Sequence, residues 1–412
     1  MSFGDPVSKL RILVLTSTFP RWKDDVEPPF VYELSRRLAT WFNVKALAPH
    51  ATGSDTRESM DGILVHRFRY APGTWQRIAY HGGILANLKK SPVLVALVPF
   101  FLAAQLLAVF RLLRRCRIKI IHAHWIFPQG IVAVVARGLA GSRAKVLCTC
   151  HGGDIYGLKG SFFSWIKRMV AVRCDHLSVV SHSMRDELIK LGIDPGKISV
   201  IPMGVDLLHR FVPPREPLQS PSLLFVGRLV EKKGLRYLLE AMPAITERFP
   251  ESHLTVAGDG PERFELEKLS DKLGLRGHVE FLGALRQDEL ALAYQRASIV
   301  VFPSVVGDDG DREGFGLVLV EAMGCGCAVV STDLPAMTDI VKHAKTGIVV
   351  PEKRPGEIAA AVIRLLSNLE FKSAIAFEGR RHVLRNFEWG AIAKQYRDLL
   401  LSIESQHRFK TG

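Results

Sequence analysis

The chain has 412 residues and a formal net charge of +14, with 48% hydrophobic and 23% charged residues. These proportions are ordinary for globular proteins and argue against intrinsic disorder, and at roughly 100–200 residues per domain the length predicts two or three domains. The positive balance favours an anionic partner, namely nucleic acid, a phosphate-bearing substrate or an acidic membrane surface. Because the basic residues are spread along the chain without an RNP-like or zinc-finger motif, we do not expect nucleic acid to be the partner.

The cysteines argue against both zinc and disulfides. Two pairs of cysteines are closely spaced, Cys148 with Cys150 and Cys325 with Cys327. Neither pair has the C-x-x-C spacing of zinc sites, and their positions along a strand do not favour a disulfide within the pair. Free buried thiols in a reducing cytosol are therefore predicted. The segment Met1 to Leu10 has no apolar core of a secretory signal. The cysteines are Cys116, Cys148, Cys150, Cys174, Cys325 and Cys327.

The first half of the chain alternates short apolar runs with helical patterns, which predicts a parallel, doubly wound sheet. A helix is expected after Pro28-Pro29, because Phe30, Val31, Leu34 and Leu38 recur there at helical spacing. The predicted strands are 12–15, 44–48, 118–123, 145–149 and 176–180.

A second α/β series follows a segment at 212–221 that is rich in proline and polar residues. Its predicted strands are 223–226, 253–257, 278–282, 298–302 and 328–331. Two Rossmann-like domains are expected to face a central cleft, with ligands beyond the carboxyl ends of the strands. The predicted divisions are an N-terminal domain at 1–205, a linker at 206–221, a second domain at 222–387, and a C-terminal helix and tail at 388–412 that packs across either domain.

An apolar stretch from Pro92 to Phe110, interrupted only by Gln105, is close to the ~20 residues of a membrane-spanning helix. The strands at 12–15 and 118–123 are expected in one sheet, and a span between them would place them on opposite sides of a bilayer. Both flanks are basic, so the charges favour neither orientation. We therefore expect a helix packed on the first sheet, as a core helix or with one face docked in the membrane interface, rather than a span.

The strongest chemical pattern is Glu313-Gly-Phe-Gly316 followed by a helical run. Gly314 and Gly316 permit close backbone approach, and a helix N-terminus offers N–H groups and a positive dipole end to a diphosphate. The spacing Glu313-x7-Glu321 allows both carboxylates to face one ligand. A loop–helix junction with two solvated carboxylates is the alternative interpretation.

Two further segments follow strands of the second domain. The segment Gly227 to Gly234 contains Arg228, Lys232 and Lys233. Cations held there would stabilise, without a metal, the charge that a leaving nucleotide diphosphate gains in the transition state. Lys232 and Lys233 are equivalent by spacing, and a basic surface turn is the alternative.

The turn Gly258-Asp-Gly-Pro261 follows the strand at 253–257. Its glycines allow a tight turn beneath a nucleotide, and Pro261 suits the first position of a helix. A generic strand–helix turn accounts for the pattern equally well.

Histidines end two strands of the first domain. His151 follows the strand at 145–149, where a side chain is expected to face the cleft. His122 and His124 end another strand, and since alternating residues share a face, at least one of them can be buried. A lone histidine is more often structural. His151, beside two glycines and Asp154, is the better functional candidate.

The loop 307–312 contains Asp309-Gly-Asp311, the D-x-D pattern of metal-dependent sugar transfer. Cations are already available for the phosphates, so no metal is expected there.

In this order, these elements resemble family 4 of the retaining glycosyltransferases, which has the GT-B fold of two Rossmann-like domains. The resemblance covers nearly the whole chain. Each motif is modest alone, but the ordered set is highly specific. The matching pieces are Thr18-Phe-Pro20, Phe30-Val31-x-Glu33, His122-Ala-His124, His151-Gly-Gly-Asp154, Ile201-Pro-Met-Gly-Val-Asp206, Gly227-Arg228 with Lys233-Gly234, Gly258-Asp-Gly-Pro261 and Glu313-x7-Glu321.

The resemblance implies metal-independent transfer with retention, by front-face attack in which the leaving phosphate helps to deprotonate the acceptor. No cofactor is implied, and the catalytic set is His151, Glu313, Arg228 and Lys233. The implied donor contacts are Arg228 and Lys233 on the phosphates, Glu313 on the sugar hydroxyls, Glu321 on the ribose, Gly316 and Leu317 through backbone N–H groups on the β-phosphate, and Gly258 and Phe315 in the same site. The implied acceptor-side residues are His151, near the reacting carbon of the donor sugar, and Asp154. The resemblance thus implies that the domain at 1–205 is the acceptor side and that the domain at 222–387 binds the nucleotide sugar.

Two stretches depart from the family pattern. The segment Arg21 to Pro29 has no glycine where many relatives carry a Gly-Gly loop, and Asp333-Leu-Pro335 with Asp339 replaces the usual Gly-Gly before Pro-Glu. No donor contact is carried over onto either stretch.

The implied function is transfer of a hexose-type sugar from a UDP- or GDP-sugar to a glycan or lipid-linked acceptor, in synthesis of a cell-surface polysaccharide or glycolipid. The basic N-terminal domain and its apolar helix favour a cytoplasmic protein in peripheral contact with the anionic inner face of the plasma membrane. The alternatives are a non-hydrolysing sugar-nucleotide epimerase and a membrane-associated protein that binds sugar nucleotides without turnover.

Overall fold

The structure is a computed structural model that describes residues 9–22, 25, 30–80, 83–156, 160–215, 221–308 and 310–405, without the side chains of Leu85 and Ala86. The chain divides into two compact units. The first contains residues 1–180, 184–201 and 393–412, and the second contains residues 181–183 and 202–392. Residues 216–220 of the predicted linker lie outside the described residues.

The first unit is built on one eight-stranded sheet. Its strands are β1 (Arg11–Leu15), β2 (Asn43–Pro49), β3 (Arg57–Met60), β4 (Ile63–Phe68), β5 (Ile120–His124), β6 (Lys145–Cys150), β7 (His176–Val179) and β8 (Ile198–Val200). They lie in the order β3-β4-β2-β1-β5-β6-β7-β8, and neighbours are parallel except for the antiparallel pair β3–β4. The helices between them are α1 (Phe30–Leu38), α2 (Ile84–Lys90), α3 (Val98–Cys116), α4 (Ile131–Leu139), α5 (Gly153–Tyr156), α6 (Ser161–Arg173) and α7 (His182–Lys190).

The second unit is built on a six-stranded, wholly parallel sheet. Its strands are β9 (Ser222–Val226), β10 (His253–Ala257), β11 (Val279–Gly283), β12 (Ile299–Phe302), β13 (Ala328–Thr332) and β14 (Ile348–Val350). They lie in the order β11-β10-β9-β12-β13-β14. Its helices are α8 (Leu235–Arg248), α9 (Arg263–Lys272), α10 (Gln287–Gln295), α11 (Leu317–Gly324), α12 (Pro335–Thr338), α13 (Pro355–Ser367) and α14 (Leu369–Asn386), and the final helix α15 (Trp389–Ser405) is shared with the first unit.

Parallel sheets covered by helices on both faces bury every residue of their central strands, so those strands are continuous apolar runs. All residues of β12 and β13 are buried. Four strands escaped the sequence patterns. Strand β3 is polar, β8 and β14 have only three residues each, and the apolar run of β4 is interrupted by His66 and Arg67. The last helix, α15, begins in the second unit and belongs to the first from Ala393 onward. Its buried Tyr396 hydroxyl lies 3.4 Å from the Ser178 hydroxyl.

In each sheet the strand order reverses beside the first strand of the unit. β1 lies between β2 and β5, and β9 lies between β10 and β12. In doubly wound sheets, ligands bind outside the carboxyl ends of the strands at this reversal. The fold therefore directs attention to the residues after β9, β10 and β12 in the second unit, and after β5 and β6 in the first.

The apolar stretch of the sequence forms a 3-10 turn, Pro92–Leu97, that runs into α3. Only the side chains of Phe101, Gln105, Val109 and Leu113 are buried, one per helical turn, and just 17% of the most apolar 18-residue window is buried. Among the described residues, this is the one helix long and apolar enough to cross a membrane. The strands before and after it, β4 and β5, lie in the same sheet, which favours a helix packed on that sheet through one face.

The buried face of α3 carries an unpaired amide. Gln105 has no exposed surface, and neither its Oε1 nor its Nε2 has a hydrogen-bond partner among the described residues. Since such a group loses its hydration without compensation, Gln105→Met is expected to raise the free energy of unfolding by about 1–2 kcal/mol. Thermal unfolding of the variant should show a melting temperature about 2–4 °C above that of the parent protein. A lower melting temperature would mean that an ordered water holds the amide.

Candidate active site

An ion pair between Lys233 and Glu313 lies at the strand-order reversal of the second unit. The ammonium group donates a hydrogen bond to Oε2 of Glu313, and the two side chains are only 15% and 18% exposed. Lys233 Nζ also lies 4.8 Å from the ring centroid of Phe302, the last residue of β12. The loop after β9 and the loop after β12 therefore meet at one charged pair.

The surroundings keep the Glu313 carboxyl ionised. Burial opposes ionisation, but the charge and hydrogen bond of Lys233 outweigh it, so the pKa of Glu313 is lowered. Lys232 pairs with Asp311 instead, at 2.9 Å between Nζ and Oδ2. The two lysines that were equivalent by spacing thus have different carboxylate partners.

Arg228 follows Gly227 immediately beyond β9, and its side chain is exposed. Within the described part of the chain it makes no hydrogen bond or ion pair. A guanidinium group with five N–H donors and no acidic partner is suited to bind an anion in a bidentate manner.

The turns after β9 and β10 pack backbone against backbone. Gly227 N–H donates to the Ala257 carbonyl at 3.0 Å, and Leu229 N–H donates to the Asp259 carbonyl at 3.0 Å. A Cβ atom on Gly258 would lie 1.8 Å from the Gly227 carbonyl oxygen. Only glycine fits there, so Gly258 supports the loop that carries Arg228.

Helix α11 begins at the same end of the sheet. Gly316 is its N-cap, with φ 95° and ψ 50°, a left-handed conformation that favours glycine. The first turn, from Leu317, presents backbone N–H groups at the positive end of the helix dipole. The Phe315 side chain is buried, with its ring 5.9 Å from that of Phe387. Phe315 therefore has only its backbone to offer a ligand.

Glu321 projects from α11 and accepts a hydrogen bond from the Tyr294 hydroxyl at 2.9 Å. Burial raises the pKa of Glu321 to about 7, against the opposing effects of Tyr294, Arg210 and Lys233. The two carboxylates of the Glu-x7-Glu motif thus differ in protonation: Glu313 is held ionised, whereas Glu321 titrates near neutrality. Tyr294, fully buried on α10, is a partner that the sequence patterns did not reveal.

In the first unit, His151 belongs to a stack of imidazole rings at the ends of β5 and β6. Its Nε2 lies 3.0 Å from Nδ1 of His124, and the two rings are nearly parallel. The His122 ring lies against that of His124, with ring centroids 4.3 Å apart and an interplanar angle of 34°. Burial, followed by the effect of His122, lowers the pKa of His151 to about 3. His151 is therefore neutral, and its Nδ1 has no partner among the described residues.

Two aromatic side chains frame His151 that the sequence analysis did not single out for this site. The rings of Phe30 and Trp125 both lie 4.9 Å from the His151 ring. The only available signal was position, since Trp125 directly follows His124 and Phe30 begins α1. His122 and His124 are both buried.

Asp154 holds the loop that carries His151. It is 3% exposed, its Oδ1 accepts from the N–H groups of His151 (3.1 Å) and Gly152 (3.2 Å), and its Oδ2 accepts from Ile126 N–H at 2.9 Å. Burial raises the pKa of Asp154, while these backbone donors oppose the shift. The carboxylate is satisfied by the backbone, so its direct task is to orient the loop.

The D-x-D pattern is described only in part, because Asp309 lies outside the described residues. In the remainder of the loop, Asp311 pairs with Lys232. Within the described ranges there is no group of three or more His, Cys, Asp or Glu side chains that could hold a metal ion. Of the glycine-free stretch 21–29, residues 23–24 and 26–29 likewise lie outside the description.

Two family models match consecutive parts of the chain. The model for glycosyltransferase family 4 matches residues 29–208, and that for group 1 glycosyl transferases matches residues 210–382. A putative colanic acid biosynthesis glycosyltransferase, WcaL of Salmonella typhimurium, is 30% identical over 282 residues, which cover 67% of this chain and 69% of that protein.

Two other relatives show how the similarity is distributed. A GDP-mannose-dependent alpha-(1-6)-phosphatidylinositol monomannoside mannosyltransferase of Mycobacterium tuberculosis is 29% identical over 284 residues, 66% of this chain and 73% of that protein. An uncharacterized glycosyltransferase of Methanocaldococcus jannaschii is 41% identical over 173 residues, but the match spans only 42% of this chain and 43% of that protein.

Solved structures confirm the fold. Sucrose-phosphate synthase from Thermosynechococcus elongatus superposes with a TM-score of 0.75 at 22% identity, covering 97% of this chain and all of that one. Anabaena HepE, solved with UDP and glucose, gives a TM-score of 0.70 at 18% identity, covering 95% and 100%. The expected architecture of two Rossmann-like domains of the GT-B type is thereby confirmed, and the chain belongs to glycosyltransferase family 4.

Proposed function

We propose that the protein transfers a hexose-type sugar from a UDP- or GDP-sugar to a glycan or lipid-linked acceptor, with retention of anomeric configuration and without a metal. One observation carries the proposal: the Lys233–Glu313 ion pair lies at the strand-order reversal. The N-cap of α11 lies three residues after Glu313, and Arg228 belongs to the same loop as Lys233. A nucleotide diphosphate sugar needs cations for its phosphates and a hydrogen-bonding carboxylate for its sugar.

Arg228 and Lys233 take the donor phosphates in this proposal. As the bond to the anomeric carbon breaks, charge grows on the departing β-phosphate. A guanidinium, an ammonium and the backbone N–H groups of Gly316 and Leu317 stabilise that charge more than the charge of the ground state. Because these donors are already in place, no divalent cation is needed to neutralise the leaving group.

The carboxylates bind the neutral parts of the donor. Glu313, held ionised by Lys233, accepts hydrogen bonds from the sugar hydroxyls, and Glu321 accepts from the ribose. Gly258 packs closely on the Gly227 backbone and so supports the turn beneath the nucleotide, and Phe315 offers its backbone. No covalent glycosyl-enzyme is proposed. The attacking hydroxyl instead gives its proton to the leaving phosphate on the same face of the sugar.

His151 is proposed to contact the transferred sugar near the reacting carbon, with Asp154 as the group that positions it. A neutral imidazole suits this role because it can donate or accept a hydrogen bond without placing a positive charge beside a developing oxocarbenium ion. The first unit, in this proposal, supplies the acceptor side and the second unit supplies the donor site.

The acceptor is proposed to be met at the cytoplasmic, anionic face of the plasma membrane. The exposed side of α3 supports this, because Phe100 and Leu107 are 63% and 47% exposed on an apolar helix whose C-terminal part carries arginines. Among the relatives, one is named for a phosphatidylinositol monomannoside acceptor and another for colanic acid biosynthesis, which points to glycolipid or cell-surface polysaccharide synthesis.

A thermal-shift screen of UDP, GDP, ADP and their sugar conjugates, with and without EDTA, tests the donor half of the proposal. A ligand at 100 times its dissociation constant should stabilise the protein by about 2.7 kcal/mol. The expected result is a clear shift with one nucleotide that EDTA leaves unchanged. A shift abolished by EDTA would contradict the metal-free site, and no shift with any nucleotide would contradict the donor class.

Product analysis tests the reaction itself. With donor and acceptor extract, we expect release of the nucleotide diphosphate and a product whose anomeric proton coupling matches that of the donor sugar. Inversion at the anomeric carbon would contradict retention. Interconversion of the sugar nucleotide without nucleotide release would identify the epimerase alternative, and binding without any turnover would identify the non-catalytic one.

A further inference from the structure

A groove of about 610 Å³ lies in the first unit between α3 and the outer strands of the sheet. Its helical wall is one face of α3, formed by residues spaced three and four apart from Ala104 to Cys116. Its other wall comes from β2, β4 and the residues Thr56 and Arg57 at the start of β3. We call it the α3 groove. It contains none of the residues assigned to sugar transfer.

The charge of the α3 groove is entirely positive. Five arginines and one histidine line it, and no aspartate or glutamate does. Arg67 is neutralised by an ion pair with Glu58. The side chains of the other four make no ion pair or hydrogen bond within the described part of the chain. They approach from both walls: Arg57 from β3 and Arg69 from just beyond β4, Arg111 and Arg115 from α3.

The unpaired positive charge of Arg57 also affects the neighbouring His66 side chain. His66 on β4 pairs in register with Arg57 on β3 and lies in the groove wall. Burial, followed by the charges of Lys45 and Arg57, lowers the pKa of His66. Its buried Nε2 has no hydrogen-bond partner among the described residues. A site of four unpaired guanidinium groups and an unused imidazole nitrogen is complementary to a phosphate.

The same groove has apolar walls, which an inorganic anion would not need. Phe68 contributes from β4, and Ala108 and Leu112 contribute from α3. At the edge of the groove, Leu107 is 47% exposed and leads onto the uncovered apolar side of α3. The ligand that matches both features has a phosphate headgroup joined to a hydrocarbon chain.

We propose that the α3 groove binds the phosphate headgroup of an anionic phospholipid, with the acyl chains lying along the exposed apolar side of α3. The proposal adds a defined headgroup site to the proposed membrane contact. It rests on that contact only for the claim that the protein meets a phospholipid bilayer in the cell. A bilayer phospholipid and a lipid-linked acceptor both carry a phosphate joined to a hydrocarbon chain. Comparison with inorganic phosphate separates both of them from a free phosphate ion.

Titration calorimetry with dihexanoylphosphatidic acid below its micelle concentration tests the site without a bilayer. We expect saturable binding by the full-length protein. Inorganic phosphate should bind at least about tenfold more weakly, since each buried methylene adds about 0.8 kcal/mol. Dihexanoylphosphatidylcholine, which carries no net charge, should also bind at least about tenfold more weakly.

Matched variants on one helix locate the binding. Arg111→Ala and Arg115→Ala should each weaken binding of the phosphatidic acid by about tenfold or more, the loss of one charge-assisted contact. Arg114→Ala removes the same charge from an exposed position of α3 that does not line the groove, and it should change binding by less than about twofold. Arg69→Ala, on the opposite wall, should behave like Arg111→Ala.

Three outcomes would overturn the site. They are equal losses in Arg114→Ala and Arg115→Ala, equal affinity for inorganic phosphate and for phosphatidic acid, and no binding of the lipid by the parent protein. Vesicles with 30% phosphatidylglycerol then separate the two lipid sources. If Arg114→Ala sediments with these vesicles and Arg111→Ala does not, the groove binds bilayer phospholipid. If both variants sediment equally, although Arg111→Ala has lost binding of the monomeric lipid, that assignment is overturned.

The nucleotide thermal shift, repeated on Arg111→Ala and Arg115→Ala, separates this proposal from sugar transfer. In these variants we expect the nucleotide shift to be retained while lipid binding is lost. A nucleotide shift in the parent protein, with no lipid binding by the parent protein, overturns the groove alone. Lipid binding by the parent protein, with no nucleotide shift in any form of the protein, sinks the donor assignment and leaves the groove standing.

Discussion

Replacing Arg228 with alanine is expected to lower turnover by about 10- to 150-fold, the loss of one charge-assisted contact of about 1.5–3 kcal/mol to the leaving diphosphate. The stability of the folded protein should change little. The side chain is exposed and has no partner within the described residues, so the melting temperature should stay within about 2 °C of the parent value. Steady-state kinetics with saturating donor measure the turnover, and a calorimetric scan of the same sample measures the melting temperature.

Lys233 requires a different design because it is paired with Glu313. Lys233→Ala leaves a largely buried carboxylate without its cation, so it should lose turnover and also about 1–3 kcal/mol of unfolding free energy. The double variant Lys233→Met/Glu313→Gln removes both charges and should regain most of the stability without regaining turnover. Lys232→Ala, which breaks only the pair with Asp311, is the matched control and should lose less than about threefold in turnover.

Two results would contradict these assignments. Near-parental turnover in both Arg228→Ala and Lys233→Ala would remove the cations from the mechanism. A larger loss in Lys232→Ala than in Lys233→Ala would mean that the neighbouring lysine is the phosphate ligand, the alternative that the sequence spacing left open.

Acid is expected to destabilise the first unit strongly between pH 7 and pH 5. Burial lowers the pKa of His122 and of His151 to about 3, and it lowers that of His124 in the same direction. In the unfolded chain these side chains titrate near pH 6.5. Below that value the unfolded state binds more protons than the folded state, so the stability contributed by each neutral imidazole is complete above about pH 6.5 and is lost as the pH falls toward 3.

At pH 5 the loss amounts to about 2 kcal/mol each for His122 and His151, with His124 adding in the same direction. Scanning calorimetry at pH 7.5, 6.0 and 5.0 measures it as a falling melting temperature. His122→Gln should flatten this dependence, because it removes one of the titrating groups. His209→Gln changes an exposed histidine and should leave the dependence as it is in the parent protein. A melting temperature that is constant from pH 7.5 to pH 5 would mean that the imidazole stack is accessible to protons in the folded state.

Much of the candidate site could be read from the sequence because parallel α/β sheets place chemistry at strand ends. The segment after β9, the turn after β10 and the loop before α11 were each identified as a strand end followed by glycine and charge. The residues that complete these groups were not. Tyr294 holds Glu321, and Phe30 and Trp125 frame His151, yet each looks like an ordinary core aromatic until its neighbours in space are known.

The edge of the first sheet was missed for a different reason. Strand β3 reads Arg-Glu-Ser-Met, without the apolar run that marks a buried strand, because an edge strand faces solvent along one side. A signal was present, since the turn to β4 is Asp61-Gly62 with positive φ at both residues, a sequence typical of a tight hairpin. This hairpin forms part of the strand-side wall of the α3 groove.

The sequence by itself determined the fold class, ten of the fourteen described strands in their order, and the residue types available for binding a nucleotide sugar, because apolar periodicity and glycine placement are local properties of the chain. Only the tertiary structure decided which lysine meets Glu313, why the two glutamates of the motif differ in pKa, and which side of α3 stays uncovered. These depend on distances of a few ångströms between segments far apart in sequence, and on how much water each pairing excludes.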